Sequence, residues 1–255
     1  MTQINQAEIQ YEQRVVAFVD VLGFSNLVYS NTTGLISRYF QFVTHNFQEA
    51  VSKHGFRFLI VSDSIVLSAP DNKESLKLCV LVLYRLQQKL IEEEGILLRG
   101  GVSVGDLYIG EEDNVMFGPG LIKAYKLESQ AKYPRIILDR TFITRYYGGT
   151  NELLSDLIWV RYQPAGVYVP DFVYLDYFRG IAFSLQKRKL EKVVTTLKNG
   201  YYHNEHIEKF EWFKQQLCDS LRWSIDALQN QAVKTKKVPV RIKLLNATLE
   251  AANNL

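Results

Sequence analysis

The feature that most restricts this chain is a set of apolar runs interrupted by two aspartates. Residues 14–21 read RVVAFVDV, β-branched and aromatic without polar alternation until Asp20, the pattern of a strand buried on both faces. Leu-Gly-Phe-Ser follows and reads as a turn into a helix. Residues 56–61 form a second apolar run that stops at Ser-Asp-Ser, and residues 65–68 form a third. These two are predicted to be a hairpin with Asp63 at its tight connection. A lone carboxylate ending a strand is more often a turn former or a helix N-cap. Two of them on adjacent strands stand close enough to share divalent metals, as phosphoryl-transfer chemistry requires.

Further along, residues 71–94 have helical periodicity that closes at Gly95, and residues 96–109 read as a strand with glycines at 100, 101 and 105 for bulges or close backbone approach. Phe117-Gly-Pro-Gly opens a helix to about Ala131, and residues 135–138 form a short strand. The order β-α-β-β-α-β-α-β predicts an α+β, ferredoxin-like antiparallel sheet with helices on one face. Beyond residue 140, two aromatic runs (159–162 and 172–177) read as extra strands, and 182–199, 203–231 and 239–253 as helices. The expected organisation is a core over residues 1–140, with 141–255 as additional strands and helices packed on the same domain.

With 255 residues, 47% hydrophobic and 22% charged, the chain can bury a full core and is not compositionally disordered. Its net charge of +3 is too small to require a nucleic-acid partner and suits a phosphorylated small molecule as well. Cys79 and Cys218 fit neither zinc spacing nor a disulfide framework, which favours a reducing cytoplasm. The opening MTQINQAEIQYEQR lacks a signal-peptide core, and the longest apolar run, 78–84, is too short for a bilayer. A soluble cytoplasmic protein without a membrane partner is expected.

Four segments resemble the motifs of class III nucleotidyl cyclases, in family order over roughly residues 14–139. AFVDVLGFSNL resembles the family's F-x-D-I-x-G-F-T, and VSDSIVLS its aspartate hairpin. LLRGGVSVGDLYIG resembles the R-x-G-I-H-x-G strand, and FGPGLIKAYKLES the W-G-x-x-V-N-x-A-x-R-M-E-S helix. The wording Arg-Gly-Gly-Val-Ser and Ala-Tyr-Lys-Leu-Glu looks most like the pyrimidine cyclases of bacterial Pycsar anti-phage systems.

The resemblance implies the class III cyclase catalytic fold with a C-terminal helical extension, and a role for each matching position. Asp20 and Asp63, with the carbonyl of Val21, would hold two Mn²⁺ or Mg²⁺ ions per site. The amides of Leu22, Gly23 and Phe24 would line the phosphates, and Arg99 would contact the triphosphate. The family's asparagine and arginine, four apart on the helix, fall on Ile122 and Lys126; the asparagine is lost, and lysine supplies a point charge without bidentate geometry. Tyr125 and Glu128 are candidates for the missing polar contact, Glu128 having a helical pairing with Lys132 as its alternative. Because the family's aspartates and helix come from opposite subunits, a homodimer with sites at its interface is implied.

Purine cyclases carry a base-reading lysine where this chain has Leu59, and a base-reading acid where it has Val115. Their loss favours a pyrimidine triphosphate, UTP or CTP, with UTP preferred only for the apolar character of these positions. Phe56, Arg57 or Phe58 is then a candidate for lining the base pocket or simply builds the hairpin. Two further readings stay open: a cyclase-fold nucleotide-binding or dimerisation domain with weak or no activity, and a different two-metal nucleotidyltransferase. His203 and His206 are read as a solvated helix start, Asp106 as a turn residue, and residues 234–243 as an exposed basic loop. Asp171 and Asp176 carry no motif.

Overall fold

Strand β1 (Glu12–Val21) is the centre of the molecule, antiparallel to β3 (Ser64–Pro70) on one side and to β4 (Leu98–Ile109) on the other. The computed structural model describes residues 9–29, 33–110, 115–166, 170–184, 186–203, 207–230 and 237–255. Strand β2 (Arg57–Val61) pairs with β3, and Val61 opposite Ser64 closes a two-residue turn at Ser62 and Asp63. Beyond β4 come β6 (Ile136–Leu138), β8 (Phe172–Leu175) and β7 (Val160–Gln163), while β5 (Met116–Phe117) clips the far end of β4. The sheet order is β2-β3-β1-β4-β6-β8-β7. The two late aromatic runs therefore extend the same sheet.

The sheet is mixed rather than wholly antiparallel, because β6 runs parallel to β4. Helix α4 (Pro119–Ala131) makes the crossover between them, as parallel neighbours require. Ahead of it in the chain lie α1 (Phe24–Tyr29), α2 (Thr33–His54) and α3 (Lys73–Glu93). Asn72 caps α3 by accepting from the Ser75 amide at 2.8 Å, and Gly95 follows its C-terminus at φ +75°.

Side chains of β1 alternate between two cores. Val15, Ala17, Val19 and Val21 pack against Tyr39, Val43 and Phe47 of α2 and Leu76, Val80 and Leu83 of α3. Val16 packs with Val66, Leu107 and Ala124 of α4 on the other face. Helices thus cover both faces, against the expectation of one. The glycines of β4 are the cause: a Cβ at Gly101 would meet Leu127 Cβ, and Ala124 O at 2.5 Å, while one at Gly105 would lie 2.9 Å from Gly120 Cα. They let α4 settle directly on the backbone.

After β6 come three short helices not expected from the sequence, α5 (Thr141–Tyr146), α6 (Thr150–Asp156) and α7 (Tyr177–Ser184), the last starting inside the run read as a strand, and then α8 (Lys187–His203), α9 (Ile207–Gln229) and α10 (Lys237–Asn253). The last four form a second apolar cluster, with Phe178, Leu197, Phe213, Leu217 and Leu245 fully buried, that also takes in Ile91 and Leu97. Asp176, assigned no role from sequence, is buried at the root of α7 and paired with Arg161 and Arg179, each at 3.0 Å. Asp171 is paired with Arg140 at 2.8 Å. Asp106 is not a turn residue: it lies within β4 and accepts from Gln13 across the ladder. His206, the side chain of His203 and residues 234–236 lie outside the described residues. Among the described residues no helix is long and apolar enough to cross a membrane.

Candidate active site

Asp20 is the penultimate residue of β1 and is registered opposite Arg99 of β4. Alternation puts it on the α4 side of the sheet, the side that also carries Phe18, Leu59 and Val66. Asp63 reaches the same end from the turn between β2 and β3. That turn is strained: Ser62 has φ +57°, where a two-residue hairpin usually places glycine or asparagine. Gly23, at φ +78°, turns the chain from β1 into α1, and a Cβ there would meet nothing within 4 Å, so its backbone angle and not crowding calls for glycine.

The two carboxylates are neighbours. Burial first, then hydrogen bonding with Asp63 and repulsion from it, hold the Asp20 carboxyl up at about 6; Glu128 adds to the shift and Arg99 opposes it. Ser64 Oγ donates to Asp20 Oδ1 at 3.3 Å, and Tyr39 OH donates to the Asp63 carbonyl at 3.1 Å. Arg99 stands between acids, its Nη2 3.6 Å from Asp20 Oδ2 and its Nε against Glu128 Oε1. Glu128 is buried and also accepts from Ser129 Oγ at 3.3 Å. It therefore turns inward to Arg99 and not along the helix to Lys132.

Two adjacent carboxylates in a half-buried site suit a divalent cation, which relieves their repulsion. Among the described residues no group of three or more His, Cys, Asp or Glu is placed to hold a metal ion, and this end offers two carboxylates. Mg²⁺ in nucleotide sites is commonly held this way, by one or two carboxylates with substrate phosphates and water completing the shell. Asp20, Asp63 and the adjoining Val21 fit that pattern.

The other expected residues divide. Leu22 does not offer its amide, which donates to the Leu97 carbonyl at 2.9 Å, leaving Gly23 and Phe24 of the proposed trio. Phe56 and Phe58 point into the core with α2, where Phe58 lies 5.6 Å from Phe47, so neither lines a base pocket on the Asp20 side. Arg57 alternates to the Asp20 side and is exposed. Tyr125 is exposed and meets Phe18 edge-on at 5.3 Å. Lys126 is exposed on the same helix. No described contact joins it to Asp20 or Asp63, so one chain does not assemble the expected set.

Two residues at this end carried no expectation from the sequence. Tyr39 is one. Lys209, in the first turn of α9, is half-buried, and burial lowers its pKa, with Arg99 as the next cause. Leu22 and Leu97, which adjoin the strand ends bearing Asp20 and Arg99, pack on the cluster that contains Phe210. The C-terminal helices thus reach the Arg99 side of the candidate site. The only sequence signal was a lysine beside a helix start, overshadowed by the nearby histidines.

No protein-family model and no curated protein matches the chain. Among solved structures, it is similar to the non-canonical dimeric guanylyl cyclase domain of the RhoGC fusion protein from the aquatic fungus Blastocladiella emersonii, at 16% identity and TM-score 0.48 over 65% of this chain and 94% of that one. It is similar to the adenylyl cyclase CyaB from P. aeruginosa at 19% identity and TM-score 0.46, over 66% and 95% of the two chains. A bacterial light-regulated adenylyl cyclase is similar at 14% identity and TM-score 0.48, over 82% and 100%. These values are too low to carry a function, which rests on the chain's own residues.

Proposed function

We propose that the chain is a nucleotidyl cyclase that converts a pyrimidine nucleoside triphosphate, UTP in preference to CTP, to its 3′,5′-cyclic monophosphate and pyrophosphate. The observation that carries this is the junction of Asp20, Asp63 and Arg99 at one end of adjacent strands. In the reaction the ribose 3′-oxygen loses its proton and bonds to the α-phosphorus as the bond to pyrophosphate breaks. Two Mn²⁺ or Mg²⁺ ions held by Asp20 and Asp63 would make that hydroxyl more acidic and stabilise the leaving group. Arg99 and the Gly23 and Phe24 amides lie at this end to meet the triphosphate. Glu128 is the buried charge partner of Arg99, beside Nε of the guanidinium.

The base side supports a pyrimidine. Leu59 is half-buried on the apolar α4-side face and Val115 is exposed, so neither supplies the polar contact that reads a purine. Arg57 is the charged residue of β2 on this face. The Arg-Gly-Gly-Val-Ser and Ala-Tyr-Lys-Leu-Glu wording adds a second-messenger role in anti-phage defence. A fold that kept its shape with a weakened site is the second reading, favoured by Ile122 in place of the polar helix residue.

The working unit in this proposal is a homodimer. Helix α4 covers β1 and β4, while Val61 on β2 and Ile122 and Tyr125 on α4 stand 58%, 55% and 55% exposed along the uncovered half of that face. A second copy laid there would bring its Lys126 to the aspartates of the first. Complementation tests this: Asp63→Ala and Lys126→Ala should each abolish cyclic nucleotide formation. Mixed and allowed to exchange subunits, they should recover about a quarter of wild-type activity, since half the dimers then hold one intact site of two. No recovery from two folded, dimeric variants would remove the shared site.

A further inference from the structure

Something must hold the Asp63 turn against Asp20, because like charges in a half-buried site repel. The β1–β3 ladder does not do so: its last pair is Val19 with Ile65, two residues short of Asp63. Within the hairpin, the strained Ser62 makes the turn a poor anchor. From the hairpin, Ser64 Oγ reaches Asp20 Oδ1 at 3.3 Å, and a second, buried tie comes from α2. Tyr39 is 1% exposed, the hydrogen bond from its hydroxyl to the Asp63 carbonyl is 3.1 Å, and its ring lies 6.5 Å from that of Phe24, the residue after Gly23. Phe40 backs the ring at 5.1 Å. One side chain therefore touches both turns that present the carboxylates, from the face opposite the substrate side.

We infer that Tyr39 is a positioning residue that sets the spacing of Asp20 and Asp63, and through it the choice between Mg²⁺ and Mn²⁺. This role rests on the proposed two-metal site. A backbone carbonyl held by a buried hydroxyl fixes the point from which the Asp63 carboxylate projects, whereas an unheld turn lets that point shift relative to Asp20. Mg²⁺ demands near-ideal octahedral geometry at short distances, so a loosened pair of ligands penalises it before more tolerant ions.

The test uses the full-length chain with Tyr39→Phe, which keeps the ring and removes the bond, and Phe24→Leu, which removes the aromatic contact and keeps the bond. Metal binding is read by Mn²⁺ electron paramagnetic resonance and by competition with Mg²⁺, neither of which needs turnover. Tyr39→Phe should weaken Mg²⁺ about tenfold, the size of effect seen when residues orienting metal ligands are changed, and Mn²⁺ about threefold. The ratio of Mg²⁺- to Mn²⁺-supported turnover should fall in step, and Phe24→Leu should shift it less. Equal weakening of the two metals, or none, in a variant that melts as a folded protein would overturn the inference. A wild-type chain that binds Mn²⁺ tightly but forms no cyclic product would instead sink the proposed reaction. The ratio of the two metal affinities in Tyr39→Phe would still decide the role of Tyr39.

Discussion

Asp20→Asn is expected to stabilise the metal-free chain while abolishing its turnover. In the folded protein burial and Asp63 lift Asp20 to about 6 from 3.8, so the native state holds this proton more tightly than the unfolded chain does. Stability from that difference is present in full below the unfolded pKa and is lost as pH rises through the folded one. A shift of about two units corresponds to at most about 3 kcal/mol, and solvent at the half-buried site reduces this to about 1–2 kcal/mol. Asparagine carries no charge, so melting in EDTA should show the variant gaining a few degrees at pH 7.5 and little at pH 4. The lost Arg99 pair, at 3.6 Å, offsets little of this. Turnover should fall by about 10³-fold or more, about 4 kcal/mol of transition-state stabilisation. A variant less stable than wild type at pH 7.5 would mean that the two carboxylates do not oppose one another.

Gly101→Val should have the largest effect on the fold. A Cβ at Gly101 meets Leu127 Cβ, the Ala124 carbonyl at 2.5 Å and the Glu128 amide at 2.9 Å. Backbone atoms of a helix cannot step aside singly, so α4 must lift from β4. Overpacking of this kind costs about 3 kcal/mol, and the Arg99–Glu128 pair is carried by the same helix. Denaturant midpoints measured beside Gly101→Ala should rank wild type above alanine and alanine above valine. A loss below about 0.5 kcal/mol for valine would place α4 elsewhere than on the glycine strand.

How much of this was legible depends on how far apart the informative residues lie. Strand β1 and the β2–β3 hairpin could be read because both-face burial and a tight turn are local patterns, and Asp20 and Asp63 followed from their places at strand ends. The packing of α4 on both glycines was only half visible: Gly101 and Gly105 announced close approach, but nothing local said from which face. That is why a one-sided helical layer was expected and a two-sided one found. Glu128 has a lysine four residues on, so the helical pair was a fair alternative; register across β4 brings it to Arg99 instead. Tyr39 and Lys209 gave no local sign, since each comes to this end only through residues met in tertiary packing. The Leu22 amide was misassigned for the same reason, its acceptor being Leu97 on another strand.

Whether Asp20 and Asp63 drive ring closure on a pyrimidine nucleotide is decided by one assay. The purified chain is incubated with Mn²⁺ and each of UTP, CTP, ATP and GTP, and the products are resolved by mass. Cyclic UMP, or cyclic CMP, should be released with pyrophosphate by the wild-type chain and by neither aspartate variant. Absence of any cyclic monophosphate would contradict the reaction, and a predominance of cyclic AMP or cyclic GMP would contradict the reading of Leu59 and Val115.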